Sequence, residues 1–193
     1  MVSKPRTKYP NICYHIYSRG VDQRIIFQDD YDFKKFLNIC YAVYLKRNFK
    51  VHSYCLMHNH YHFCIETPEQ NIGDIMRDIN SRYVVYFNQK YQRKGRLFEG
   101  PYQDKVIDTP IYFLTLISYI HSNPLGAGLV RNLDEWKWSS YRSYLQEQKI
   151  YSFLETTKTL RLFTNIKNFI DYHHQSAELI YHPQFSTIGF RRS

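Results

Sequence analysis

At 193 residues the chain has the length of one domain that can bury a real core, and only seven Gly and seven Pro exclude extended low-complexity sequence. Its 26 Lys and Arg against 17 Asp and Glu leave a net charge of +9, and 18% of its residues, 19 tyrosines among them, are aromatic. No apolar run approaches the ~20 residues that cross a bilayer, which argues against a membrane span.

Positive charge attracts a polyanion by counterion release, and aromatic rings stack on unpaired bases, so the composition suits a single-stranded nucleic acid partner. A basic protein with a tyrosine-rich core would have the same composition. Cys13, Cys40, Cys55 and Cys64 show neither CxxC nor zinc-knuckle spacing and stand in apolar stretches, so buried free thiols and a reducing cytoplasm are expected.

In chain order, residues 11–18 are rich in β-formers and end at the turn signal Arg19-Gly20, which predicts a first strand. Asp29-Asp30 can cap a first helix on which Phe33, Phe36, Leu37, Cys40, Val43 and Tyr44 recur at three- and four-residue spacing, ending near Asn48. Residues 49–56 and 61–65 read as two strands of a hairpin turning around His58-Asn59, or as one long bent strand. After Pro68, the residues Ile72, Ile75, Met76, Ile79, Tyr83, Tyr86 and Phe87 line one face of a second helix whose other side carries Arg77, Arg82, Gln89 and Lys90. A basic turn at 92–96 leads to a bulged or edge strand within 97–107, broken by Gly100-Pro101. Thr109-Pro110 then supplies an N-cap and a first-turn proline for a third helix, expected to stop near Asn123 ahead of Pro124.

Strand, helix, strand, strand, helix, strand is the split βαβ order of a ferredoxin-like α+β fold with an antiparallel sheet, here with an appended helix. Trp136, Trp138 and Tyr141 precede helix-like segments near 160–172 and a basic end, Arg191-Arg192. The expected organisation is a domain over residues 1–145 and a helical, basic tail over 146–193.

His60-Tyr61-His62 would place two imidazoles on one face of a strand, half of a site for a divalent cation. Among nine histidines the pair alone is a weak signal. His58 would add a third nitrogen, and a possible zinc site, if the strand ran unbroken through it. On the third helix Phe113, Leu114, Ile117 and Ile120 form an apolar stripe; Tyr112, Leu116, Tyr119 and Asn123 fall opposite. Tyr119 and Asn123 are thus i, i+4 neighbours, a phenol that could attack beside an amide oxygen that could complete a metal shell.

The segment Met57-His58-Asn59-His60-Tyr61-His62 is similar to the histidine-hydrophobe-histidine signature of the REP-associated tyrosine transposases of the IS200-like family, where a proline often replaces His58. Residues 119–130, from Tyr119 through Asn123-Pro124 to Val130, resemble the family's tyrosine-helix motif. Tyr14-His15-Ile16-Tyr17-Ser18-Arg19-Gly20, Gly95-Arg96-Leu97-Phe98 and Trp138-Ser139-Ser140-Tyr141 match in the same order. Pro101-Tyr102-Gln103 stands where relatives carry a basic-aromatic-basic triplet, and Gly126 replaces a residue that is often basic.

The resemblance implies that His60, His62 and Asn123 hold Mg2+ or Mn2+ and that Tyr119 attacks a DNA phosphate, forming a 5′-phosphotyrosine that a 3′-hydroxyl later reverses. It implies single-stranded DNA with imperfect hairpins as substrate, for a monomer or homodimer. Arg19, Arg77, Arg82, Lys94 and Arg96 are the candidate backbone contacts, each equally readable as a solvated surface charge. No general base is evident: His121 lies about 160° round the helix from Tyr119 and reads as structural. Two other readings are open, a non-catalytic single-strand binder and a zinc hydrolase built on His58, His60 and His62.

Overall fold

The computed structural model describes residues 11–67, 71–145 and 151–181; the basic end at Arg191-Arg192 lies outside them. Four antiparallel strands, β1 (Ile12–Arg19), β2 (Lys50–Met57), β3 (His60–Thr67) and β4 (Gln103–Ile107), form one sheet in the order β2-β3-β1-β4. With α1 (Asp30–Arg47) between β1 and β2, and α2 (Ile72–Lys90) between β3 and β4, this is the expected α+β split βαβ architecture. Residues 50–57 and 60–67 pair as a hairpin, so the two-strand alternative holds.

Strand alternation sends Tyr14, Ile16, Leu56, Tyr61, Phe63 and Ile65 to one face, where they pack with Phe33, Phe36, Ile75, Ile79 and Tyr83 of α1 and α2. Asp29 caps α1 by accepting the Asp32 N–H at 3.0 Å. Asp32 itself is fully buried and takes Lys90 Nζ at 2.7 Å, Tyr91 Oη at 2.7 Å and Tyr86 Oη at 2.9 Å, locking the start of α1 to the end of α2.

The opposite face, with Cys13, Cys55, Met57 and Cys64, is covered by α3 (Pro110–Gly126). Thr109 caps α3 as expected, but the helix continues through Pro124 to Gly126. Proline there deletes a single hydrogen bond in the last turn, and the Asn123 carbonyl is still satisfied by Ala127 N–H at 3.0 Å. The side of α3 expected to be free of the apolar stripe is buried too, with Leu116, Tyr119 and Asn123 against the sheet side. The cause is a second cover: α6 (Ile166–Tyr181), which follows two short helices, α4 (Tyr141–Leu145) and α5 (Thr157–Leu160), packs along α3 from outside.

The outer edge of β2 is closed by the chain that follows α3. Leu56 N–H bonds Trp138 O, Ser140 N–H bonds Tyr54 O, and Val51 N–H bonds Phe153 O, each within 3.0 Å. Covered edges do not template aggregation. Ser140 Oγ takes the Tyr54 N–H at 2.9 Å and donates to His121 Nε2 at 2.8 Å, while His121 Nδ1 donates to His173 Nε2 at 3.0 Å. His121 is therefore a buried strut between α3, the β2 edge and α6. Gly126 also has a local reason, since any Cβ there would stand 2.1 Å from the Tyr181 ring of α6.

Candidate active site

Antiparallel pairing sets the site. On β3, His60, His62, Cys64 and Glu66 alternate onto the face beneath α3, where His60 opposes Arg19 of β1 and His62 opposes Tyr17. The two imidazole centroids are 5.1 Å apart and nearly perpendicular. Each Nδ1 is held: His60 Nδ1 donates to Asn59 Oδ1 at 2.7 Å, and His62 Nδ1 pairs with His15 Nε2 at 3.1 Å. Each Nε2 is buried with no hydrogen-bond partner among the described residues.

Buried polar atoms are rarely left unpaired, and two adjacent ones with their rings fixed from behind match a pair of cation ligands. Burial pushes the His60 pKa down to about 4 and that of His62 well below the usual imidazole value, so both rings are neutral and keep a lone pair to donate.

Tyr119 lies over His62, its ring centroid 5.5 Å from His62 and 6.1 Å from His15, edge to face. One turn on, Asn123 Nδ2 donates to Tyr119 O at 2.8 Å, which turns the carboxamide and places it beside the His60 ring. His60, His62, Tyr119 and Asn123, read separately from a strand and a helix, thus meet in one place within one chain. Two imidazole nitrogens and an amide oxygen are a donor set that fits a divalent cation with positions left open.

His58 does not join them. It sits in the turn between β2 and β3, its Nδ1 3.1 Å from Phe27 O and its ring edge-on to Phe33 and Trp136. With Arg24, Ile25, Gln28 and Arg93 it lines a separate surface concavity of about 570 Å³.

Of the basic candidates, Arg19 is closest to the histidines, at the end of β1 opposite His60 and paired through Nη2 with Glu99 Oε1 at 3.1 Å. Arg96, bonded to Glu99 O at 2.9 Å, shares that rim, and Lys94 precedes it in the same loop. Arg77 and Arg82 belong to α2, on the far side of the sheet; Arg77 is paired with Asp74 at 2.9 Å. They are not brought to the histidine pair.

Sequence reading gave no role to His15, Asn59, Tyr17 or Lys105, although the first three stand within motifs that it singled out. His15 and Tyr17 alternate along β1 as His60 and His62 do along β3, but only the register reveals that they face each other. Lys105 of β4 pairs with His15 and places its ammonium 4.7 Å from the Tyr112 ring centroid, adding an exposed cation beside the site.

A sequence model of the family described as "Transposase IS200 like" matches residues 8–123, ending on Asn123. Among solved structures, that of a REP-associated tyrosine transposase bound to a REP hairpin is similar in fold, with a TM-score of 0.66 at 16% identity over 81% of this chain and 94% of that one. A crystal structure of a candidate transposase from Deinococcus radiodurans R1 aligns at a TM-score of 0.44 and 13% identity, over 62% of this chain and 95% of that one. No curated protein matches the chain in sequence. With well over half of its residues accounted for by that one family model, the chain belongs to the IS200-like transposase family.

Proposed function

We propose that this transposase is a metal-dependent single-strand DNA endonuclease and strand transferase that works through Tyr119 at hairpin-forming repeats. The observation that carries the proposal is the placement of Tyr119 against His62, beside His60, where both histidines are neutral and have a buried Nε2 with no hydrogen-bond partner among the described residues. His60, His62 and Asn123 are the residues that would hold Mg2+ or Mn2+. Two nitrogen donors suit Mn2+ better than Mg2+, which prefers oxygen. A bound divalent cation supplies Lewis-acid polarisation of a non-bridging phosphate oxygen.

The remaining chemistry belongs to the chain. The Tyr119 phenol oxygen attacks phosphorus in line and the P–O3′ bond breaks. The DNA 5′-phosphate is then esterified to tyrosine, and the proton lost by the phenol is balanced by the one gained by the 3′-oxygen. A 3′-hydroxyl of another strand reverses the step, so the bond is exchanged without a nucleotide cofactor. Asn59 and His15 keep the two metal-facing nitrogens in place. A single chain carries the whole constellation, and the working assembly is a monomer or a homodimer.

The solved relative is bound to a REP hairpin, and we assign the same class of DNA to this chain. Arg19 and Lys105 stand beside the site, Arg96 shares the Arg19 rim through Glu99 and Lys94 lies in its loop; these four contact the backbone beside the cut. Arg77 and Arg82, on the far layer, contact only flanking DNA. Residues 1–145 form the catalytic domain, and α6, in the segment beyond, buttresses the tyrosine helix. No helix among the described residues is long and apolar enough to cross a membrane, and a DNA substrate makes the cytoplasm the working compartment.

The test is incubation of the protein with labelled single-stranded hairpin DNA from repeats flanking its own gene, with Mg2+, Mn2+ or chelator. A covalent adduct on denaturing gels that needs metal and is lost in Tyr119→Phe supports the proposal. Hairpin binding without adduct under every metal condition would leave a DNA-binding protein that lacks the chemistry.

A further inference from the structure

A second buried polar cluster lies at the other end of the same sheet face. Cys13 of β1 opposes Glu66 of β3, four residues beyond His62 and so roughly 13 Å along the strand. The third member, His52, occupies an irregularity in β2, where the pairing jumps from Val51–Ile65 to Ser53–Cys64 and leaves His52 as the extra residue. Bulges re-aim side chains. This one turns a fully buried imidazole onto Glu66, with its Nε2 3.0 Å from Glu66 Oε2, under the Phe113 ring of α3.

Cys13 Sγ is 3.6 Å from the same carboxylate oxygen, and one donor atom from each of the three residues lies within 4.8 Å of the others. Into this group reaches Lys158 of α5, its Nζ 2.5 Å from Glu66 Oε2 and 4.0 Å from Cys13 Sγ. The proposed DNA chemistry uses none of the four.

We infer that Cys13, His52 and Glu66 form a binding site for a thiophilic divalent cation of the zinc class, separate from the His60–His62 site, with the Lys158 ammonium holding the cation's place when none is bound. Thiolate, imidazole and carboxylate are zinc's ligand types. With bonds of ~2.3 Å to sulfur and ~2.0–2.2 Å to nitrogen and oxygen, tetrahedral ligands stand roughly 3.3–3.6 Å apart. The observed 3.6 Å and 3.0 Å separations need only small adjustment.

The supporting contacts point the same way. His52 Nδ1 is 3.3 Å from Glu155 O, which directs Nε2 inward as an orienting partner does for a metal-bound histidine. A hydrogen bond from Cys64, against the opposing effect of burial and with help from His52, lowers the pKa of the Cys13 thiol, which favours the thiolate that a metal takes. The Lys158 side chain is half-exposed, at 51%, and withdraws into water without breaking the core. Cation binding then expels the ammonium and leaves a fourth position for water.

Cobalt titration of the full chain tests this, because only a thiolate ligand gives a sulfur-to-cobalt charge-transfer absorption. We expect that band at one equivalent of Co2+, displaced by Zn2+, present in His60→Ala and absent in Cys13→Ser. Lys158→Met, a change at a half-exposed position, should tighten Co2+ and Zn2+ at least tenfold and make the melting temperature rise with Zn2+. Adding Cys13→Ser to Lys158→Met should abolish that rise. The inference is overturned if neither the native chain nor Lys158→Met shows the band, or if the band survives in Cys13→Ser. Because the test reads cobalt at sulfur, it stands or falls independently of DNA cleavage.

Discussion

Replacing His15 by leucine removes the group that holds His62 from behind. The His62 ring is 1% exposed, so no water takes over its Nδ1, which loses the 3.1 Å contact to His15 Nε2. An orphaned buried donor or acceptor costs about 1–3 kcal/mol, and loss of the partner that orients a metal-bound histidine lowers metal affinity roughly 10–100-fold. Both effects should appear in His15→Leu, as a lower denaturant midpoint without metal and as weaker Mn2+ binding by calorimetry. Glutamine places an amide near the position of the imidazole Nε2, so His15→Gln should recover most of the Mn2+ affinity. If His15→Leu binds Mn2+ as tightly as the native chain while remaining folded, the positioning role assigned to His15 is wrong.

Asp32→Ala leaves Lys90, Tyr86 and Tyr91 without the fully buried carboxylate they share, and should destabilise the protein by about 3 kcal/mol in urea unfolding. Ser140→Ala deprives the Tyr54 N–H and the His121 Nε2 of their partner and should cost about 2 kcal/mol by the same assay, with little change in hairpin affinity. Burial lowers the His173 pKa to about 4 while the unfolded chain protonates near 6.5, so this histidine's contribution is complete above pH ~6.5 and is lost as pH falls toward 4. Stability should decline by about 1.4 kcal/mol per pH unit per proton across that window, and His173→Gln should flatten the decline in melts at pH 7 and pH 5. An unchanged acid slope in that variant would refute the assignment.

What was legible in the sequence was whatever depends on local period. The alternation of a strand puts His60 and His62 on one side, and the helical turn puts Tyr119 above Asn123, so both halves of the site were visible without coordinates. Their meeting was not: it depends on β1 lying between β3 and β4 and on α3 crossing the face that α1 and α2 leave open. His15 was hidden for the same reason, since its role exists only in the register that sets β1 against β3.

The burial of both sides of α3 was hidden because the second cover, α6, comes some forty residues later and carries no motif. His52 illustrates a different limit. Its placement follows from one extra residue in β2, and a bulge cannot be read from a pattern of alternation that it interrupts. The Trp138-Ser139-Ser140-Tyr141 motif was recognisable, but its work, closing the β2 edge and bracing His121, appears only in three dimensions.

The most direct measurement is mass spectrometry of peptides from the trapped protein–DNA adduct. The expected result is a single nucleotide-bearing peptide with the phosphate on Tyr119, formed in Mn2+ and absent in chelator. A phosphate located on Tyr17, Tyr112 or any other tyrosine, with Tyr119 unmodified, would contradict the assignment of the nucleophile and the site built around it.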